Sequence, residues 1–217
     1  MEITKEQLTR VESYLNLKNI THLDLRMEVL DHIVSDIESK MEIENLDFET
    51  VFKNVIQKWK PQFNNTSSFY FGVGYSAPKI VIEKAKKQFK KWSVFSFFFF
   101  FFSFILIDKL SFSMSDSLKN IINLSFKIIT LICFICHVFL MIVKSKDKVK
   151  TTFSFILRTQ NLNILFGIIL FFDFNILNKE GNFDTFLVTI LFAFVLSNFS
   201  YFHFYSKHKK VIKKYKS

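Results

Sequence analysis

The residue types best suited to chemistry cluster on one predicted helix near the start of the chain. Asp24, Arg26, Glu28, Asp31 and His32 lie in one short stretch. Glu28 and His32 are four residues apart and therefore share a helical face, with Asp31 beside them. Such a group could bind a metal ion or support acid/base catalysis. A single cluster of Glu, Asp and His on a solvated face more often forms local ion pairs, so no metal site and no catalytic residue is predicted. The candidates for binding or interaction are Arg26, Glu28, Asp31 and His32.

A second chemical pattern, Cys133-Phe134-Ile135-Cys136-His137, matches the Cys-x-x-Cys-His arrangement of covalent haem attachment. It lies inside a long apolar run, whereas haem attachment requires an accessible segment outside the cytoplasm. Two cysteines three residues apart in an apolar helix are more often small, inert side chains. We therefore predict no haem or other cofactor.

Several polar side chains interrupt the apolar runs, where a charge is costly unless it pairs or reaches the headgroups. Lys127 and Asp173 are predicted to lie at depths that differ by only about 3 Å. They are candidates for an ion pair between neighbouring helices, and the alternative is that each reaches the outer headgroups independently. The others are expected to form interhelical hydrogen bonds, with a polar pocket or permeation path as the alternative: His137, Asn163, Asn198 and His203.

Four apolar runs must position these side chains, at residues 92–107, 120–143, 162–177 and 185–205. A bilayer core about 30 Å thick needs roughly 20 helical residues, and runs of this length and Phe/Ile/Leu density fit that requirement. A large soluble helical protein is the disfavoured alternative. The runs predict a polytopic membrane protein with four crossings.

Lysines predict the orientation of these crossings. They cluster before the first run, between the second and third, and after the fourth, at residues 84–91, 144–150 and 207–216. Basic residues favour the cytoplasmic side, so both termini are expected in the cytoplasm, at the inner membrane of a bacterium. Residues 1–77 carry a net charge of −4, with 12 acidic and 8 basic side chains, and the total is +10. Basic groups at helix ends suit anionic lipid headgroups, which disfavours nucleic acid as the partner.

Residues 1–61 predict a cytoplasmic three-helix domain. Thr4 and Gln7 suit a capping box, Asp47 can cap the third helix, and Pro61 is expected to end it. The second helix shows one apolar stripe of Leu23, Met27, Leu30, Val34, Ile37 and Met41. Residues 62–91 predict a linker and a juxtamembrane amphipathic helix, 92–205 a four-helix transmembrane bundle, and 206–217 a basic tail.

The stretch from Asp24 to His32, Asp-Leu-Arg-Met-Glu-Val-Leu-Asp-His, resembles the small helical prefix domains that precede membrane spans in bacterial permeases and in membrane proteins linked to PadR-type regulators. Those domains carry a similar Glu followed by Asp-His in the middle of three short helices. The resemblance implies an interaction or signalling module attached to a membrane part, with no catalytic residues. This chain lacks the longer set of spans of a full permease, which disfavours transport.

Arg26 and His32 also satisfy the loose Arg-to-His spacing of HEPN-type ribonucleases, although Met27 stands where that family usually has a polar residue. The interpretation that we carry forward is an all-α, non-enzymatic integral membrane protein. Its cytoplasmic helical domain is expected to bind a protein partner or a second copy, for signalling or regulation. An oligomeric pore or transport component is the first alternative, and a membrane-tethered HEPN-like nuclease or metal-dependent enzyme is the second.

Overall fold

The computed structural model describes residues 2–107, 115–172, 175–177 and 181–216. Most of them are helical, and one short antiparallel hairpin interrupts the helices. The α-helices are α1 (Lys5–Leu17), α2 (Leu23–Glu44), α3 (Phe48–Phe63), α4 (Lys79–Ile107), α5 (Asp116–Ser145), α6 (Thr152–Gln160), α7 (Ile164–Phe172) and α8 (Thr185–Lys216), and the strands are β1 (Asn65–Ser68) and β2 (Gly72–Pro78).

Three helices at the N-terminus form as predicted, and both predicted caps are present. In the capping box of α1, the Gln7 amide donates to Thr4 Oγ1 at 3.3 Å and the Thr4 amide donates to Gln7 Oε1 at 2.8 Å. The Asp47 carboxylate accepts from the Thr50 amide at 3.1 Å and so caps α3. The prediction that Pro61 ends this helix is wrong, because α3 continues through Pro61 to Phe63.

The buried face of α2 differs from the predicted apolar stripe. Met27 is 43% exposed. Of the predicted stripe, Ile37 and Met41 are buried. The other buried apolar residues of the helix, which pack toward α1 and α3, are Leu25, Val29 and Ile33. Apolar residues lie on more than one face of α2, so the neighbouring helices decide which face is covered.

A hairpin forms within the range predicted as a linker. Strand β1 pairs antiparallel with β2, from Asn65 opposite Pro78 to Ser68 opposite Gly72, with an irregular register after Ser67. Gly72 adopts a φ of +89°, which only glycine reaches without strain, and this allows the tight return of the chain. Phe71 is buried and its ring packs edge-on against Phe155 at 5.4 Å.

Four helical segments of the described chain are long and apolar enough to cross a membrane: Lys79–Ile107, Asp116–Ser145, Thr152–Phe172 and Thr185–Tyr215. Many large apolar side chains of the first two segments are exposed, whereas half of the apolar window of the fourth segment is buried. The third segment begins at Thr152, ten residues before the predicted 162. It is also interrupted, because the 3₁₀ turn Asn161–Asn163 separates α6 from α7.

The chain divides into two compact units. Unit 1 contains Met1–Gln88, Val149–Thr159 and Lys207–Ser217. It therefore combines the N-terminal helices and the hairpin with most of α6, the residues just before it, and the end of α8. Unit 2 contains Phe89–Lys148 and Gln160–Ser206.

The core of unit 2 is apolar and closely packed. Its buried residues include Leu170, Leu187, Leu191 and Phe194. Gly167 on α7 makes this packing possible, since a Cβ there would lie 2.7 Å from the rings of Phe134 and Phe194.

Candidate functional site

The polar residues predicted on α2 have separate roles in unit 1. Arg26 is half-buried, and its guanidinium donates to the carbonyl of Ile20 at 3.2 Å and to that of Glu12 at 3.4 Å. These bonds tie α2 to α1 and to the turn that joins them. Asp31 and His32 are exposed. The structure therefore does not bring the four candidates, Arg26, Glu28, Asp31 and His32, to one common centre.

Lys84 forms the centre of an ion-pair network on this part of the molecule. Its ammonium pairs with Glu28, a predicted candidate, in a short contact. It also lies 3.9 Å from Asp24 Oδ2 and donates to the backbone carbonyl of Asp24 at 3.2 Å. The side chain of Lys84 is 24% exposed and that of Asp24 is 8% exposed. One cation on α4 thus bridges an exposed and a buried carboxylate on α2.

Asp24 also binds the start of α6. Its Oδ1 accepts a hydrogen bond from the Thr152 amide at 2.8 Å, and both groups are buried. The backbone adds a second link, since the Leu23 amide donates to the carbonyl of Lys150 at 2.9 Å. A carboxylate at a helix N-terminus satisfies a free amide and suits the positive end of the helix dipole. Thr151 and Ser154 form a local capping pair at this helix start, with the Ser154 amide donating to Thr151 Oγ1 at 3.0 Å and the Thr151 amide to Ser154 Oγ at 2.9 Å. Asp24 adds a further capping bond, to the Thr152 amide, from a distant part of the chain.

Beside this network lies a groove of about 530 Å³ between α2, α3 and the first turns of α4. Leu25, Val29 and Ile80 contribute apolar surface, and Trp59 contributes an indole whose buried Nε1 has no hydrogen-bond partner among the described residues. The charged and polar groups that line it are Glu28, His32, Glu83, Lys84, Lys87 and Gln88. Two of the four predicted α2 candidates, Glu28 and His32, therefore line one groove. Its mixed lining suits a protein segment with apolar and charged groups.

A buried histidine lies at the start of α2. Burial is the main cause that lowers the pKa of His22 to about 4. The charge of Asp24 raises this pKa, and the charge of Lys150 lowers it further. The side chain is 9% exposed, and its Nδ1 is buried with no hydrogen-bond partner in the described chain. At neutral pH His22 is uncharged.

In unit 2, the structure brings two of the predicted intramembrane residues together. His137 is fully buried on α5, with its ring 4.9 Å from that of Tyr201 and 6.0 Å from that of Phe194. The imidazole interacts with the Asn198 side chain of α8, but no hydrogen bond of normal geometry joins them. Cys136, next in the chain, is exposed on the same helix, and Cys133 is half-buried.

The other intramembrane candidates lie apart from this pair. His203 packs its ring against Trp92 at 5.3 Å, and Asn163 is half-buried in the 3₁₀ turn of the third span. Lys127 is half-buried on α5. The predicted ion pair between Lys127 and Asp173 cannot be assigned, because Asp173 lies outside the described residues.

The structure adds two polar contacts that sequence reasoning missed, both at the interruption of the third candidate span. Gln160 Nε2 donates to Ser200 Oγ at 3.2 Å, and the Tyr201 hydroxyl donates to Asn161 Oδ1 at 3.3 Å. Gln160, Ser200 and Tyr201 are all buried. The sequence signal for these contacts is Arg-Thr-Gln-Asn at residues 158–161, a polar stretch directly before the apolar run that predicts the third span.

Unit 1 contains a third missed contact. The hydroxyl of Thr151, just before α6, lies 2.8 Å from Nδ1 of His208 on α8, and both side chains are fully buried.

No group of three His, Cys, Asp or Glu side chains in the described parts of the chain is placed to hold a metal ion. Comparison of the chain with protein-family models, with curated protein sequences and with solved structures found no match.

Proposed function

We propose that this chain is a non-enzymatic integral membrane protein whose N-terminal helical domain binds a protein partner and transmits the bound state to the membrane spans. The four apolar helical segments support the membrane part of this proposal. The lysine clusters at residues 84–91, 144–150 and 207–216 support an arrangement with both termini in the cytoplasm of a bacterial cell. Unit 1 groups the N-terminal helices with residues 149–159 and with the end of the chain, as expected if all three lie on one side.

A single observation carries the proposal: Lys84 lines the groove and also pairs with Asp24, the carboxylate bonded to the first amide of the third candidate span. Lys84 lines the groove beside Glu28, and the same ammonium pairs with Asp24. Asp24 in turn caps α6 through the Thr152 amide. A partner that presents a charge to Glu28 or Lys84 would shift this pairing. The change would reach the first turn of the third candidate span through two contacts, without any need for a larger rearrangement.

The partner has a definite chemistry. The groove offers an apolar base with carboxylates, ammonium groups and an imidazole at its edges, and this suits an amphipathic helical segment with one apolar face. Such a segment could belong to another protein or to a second copy of this chain. The ribonuclease alternative has less support, because the Arg26 guanidinium is engaged by two backbone carbonyls in a structural role.

The experiment that tests binding is site-specific photo-crosslinking of the full chain in its native membrane. A benzoylphenylalanine at His32, which lines the groove, is compared with one at Lys53, which is exposed on α3 outside it. We expect one discrete product from position 32 and none from position 53, and its mass distinguishes a second copy from another protein. Adding Glu28→Lys should abolish the product. Equal crosslinking from both positions, or none from either, would refute the binding role.

Transmission needs a separate test. Hydrogen exchange of the α6 amides is measured in the full chain, in Lys84→Met and in Lys87→Met. Both lysines line the groove, but only Lys84 pairs with Asp24. We expect faster exchange near Thr152 in Lys84→Met and unchanged exchange in Lys87→Met. Identical exchange in the two variants would show that the groove is not coupled to α6.

An oligomeric transport component is the second candidate, and the interrupted third span is the observation that favours it. Broken helices with polar side chains at the break occur where transporters bind solutes within the membrane. Here α6 ends at Gln160, which is bonded to Ser200, and the Asn161–Asn163 turn follows. Reconstituted liposomes test this candidate directly. Solute or ion flux that is lost in Gln160→Leu would support it, and the absence of any flux would argue against it.

A further inference from the structure

A second, smaller pocket in unit 1 has a different chemistry from the groove. Its volume is about 200 Å³, and it is lined by the α1–α2 turn, the hairpin, Lys150 and two residues of α6. The lining groups that carry the argument are His22, Thr21, Asn65, Ser76, Lys150 and Arg158. This volume is below the 300–1,000 Å³ typical of drug-sized ligand sites, so the pocket suits one small chemical group.

Two cations define the electrostatics of this pocket. Lys150 and Arg158 are both exposed, and neither forms an ion pair with another described residue. The Arg158 guanidinium lies 5.4 Å from the ring centroid of Tyr75 on β2, a contact that holds it at the pocket. Asp24, the nearest buried carboxylate, is occupied by Thr152 and Lys84 and does not line the pocket.

His22 provides independent evidence for a ligand. More than nine-tenths of its surface is buried, and its Nδ1 has no hydrogen-bond partner in the described chain although it lines a polar pocket. A buried polar group without a partner costs free energy, so a group that accepts or donates a hydrogen bond here would remove that cost. Burial keeps the pKa of His22 near 4, and a neutral imidazole can donate one N–H.

We propose that this pocket binds a phosphate group, either as inorganic phosphate or as the headgroup of a phosphomonoester lipid. Arginine offers two parallel N–H donors that match phosphate oxygens, and lysine adds a point charge. Thr21 and Ser76 add hydroxyl donors, and Asn65 adds an amide. A carboxylate has only two oxygens and would leave several of these donors unused, so the donor set favours phosphate. A headgroup is sterically reasonable because Lys150 is two residues before Thr152, the first residue of the third candidate span.

The test uses the full chain purified in dodecyl maltoside, a detergent without phosphate, and follows thermal unfolding by the fluorescence of the two tryptophans. One arm adds inorganic phosphate, a second adds phosphatidic acid, and a third adds acetate as the carboxylate control. The variants are Lys150→Ala and Arg158→Ala. The matched control is Lys148→Ala, which removes another exposed lysine, two residues from Lys150 and outside the pocket.

We expect phosphate or phosphatidic acid to raise the unfolding temperature of the parent chain and of Lys148→Ala. Each pocket variant should weaken the apparent affinity about tenfold or more, as expected for the loss of a charge-assisted hydrogen bond. A response to inorganic phosphate identifies the free ion as a sufficient ligand, and a response to phosphatidic acid alone identifies the lipid headgroup.

Three results would overturn the proposal. These are no stabilisation by either phosphate compound, an equal response to acetate, and an equal loss of affinity in Lys148→Ala, which would indicate a non-specific charge effect. Lys150 and Arg158 are both exposed, so replacing either one should not prevent folding. If one does not, the other still gives a complete comparison with the control.

Discussion

Asp24 is the residue whose replacement most directly tests the link between the N-terminal helices and α6. Asp24→Ala removes the acceptor of the Thr152 amide bond, which is 2.8 Å long and buried. A hydrogen bond to a charged group contributes about 1.5–3 kcal/mol, and loss of a helix N-cap costs about 1 kcal/mol. These figures describe the same contact and do not add. Lys84 is not left alone, because it keeps Glu28. We therefore expect Asp24→Ala to lower the free energy of unfolding by about 2–3 kcal/mol.

Two companion variants separate the charge from the hydrogen bond. Asp24→Asn keeps an oxygen that can accept from Thr152 but removes the charge facing Lys84 at 3.9 Å, so a smaller loss of about 1 kcal/mol is expected. Asp36→Ala is the control. Asp36 pairs with Lys58 at 3.4 Å on the surface, where ion pairs contribute about 1 kcal/mol or less.

The assay is unfolding of the full chain in mixed micelles by increasing fractions of a denaturing detergent, combined with hydrogen exchange of the α6 amides. The two readouts should agree. Asp24→Ala should reduce global stability and also speed exchange at the first turn of α6, whereas Asp36→Ala should leave α6 unchanged. If Asp24→Ala costs no more than Asp36→Ala, the buried cap does not hold α6 and the proposed transmission route fails.

Three further predictions concern packing, pH and the α1–α2 connection. Gly167→Ala should destabilise the fold by about 1–3 kcal/mol in the same unfolding assay, because the added Cβ would lie 2.7 Å from two phenylalanine rings. Gly74→Ala should be neutral, since nothing lies within 4 Å of its Cβ position. The pKa of His22 is lowered to about 4, so the unfolded chain binds more protons between that pH and about 6.5. The free energy of unfolding should therefore fall as the pH drops through this range in phosphate-free buffer. His22→Gln should make the free energy of unfolding less dependent on pH. Arg26→Met should lower the free energy of unfolding by about 1–2 kcal/mol, because two backbone carbonyls lose a charged donor. A smaller loss than that caused by replacing an exposed lysine would argue against a structural role for Arg26.

Local signals made much of the helical structure predictable. The capping box of Thr4 and Gln7 and the cap at Asp47 are interactions between residues three apart, so the sequence contains both partners. Apolar length predicted the four candidate spans, because the thickness of a bilayer sets a minimum that few soluble helices reach. The same rule misplaced the start of the third span. Polar residues before the apolar run, such as Gln160, are tolerated there because α8 supplies their hydrogen-bond partners.

Contacts between distant residues decided the rest. The sequence placed Asp24, Glu28 and His32 on one helix and predicted local ion pairs, whereas Asp24 and Glu28 pair with Lys84 on α4. It gave no sign that Asp24 would cap α6, because Thr152 is 128 residues away. The apolar stripe predicted for α2 matches the buried face only at Ile37 and Met41, because packing against α1 and α3 selects which of its apolar residues are buried.

This chain's composition and periodicity therefore determine which segments are helical and which are apolar enough for lipid, because both properties depend on residues close in sequence. Tertiary structure alone brings the first helices, the segment before α6 and the end of α8 into unit 1. Only that assembly creates the groove at Lys84 and the pocket at Lys150 and Arg158, since each is lined by residues from separate parts of the chain.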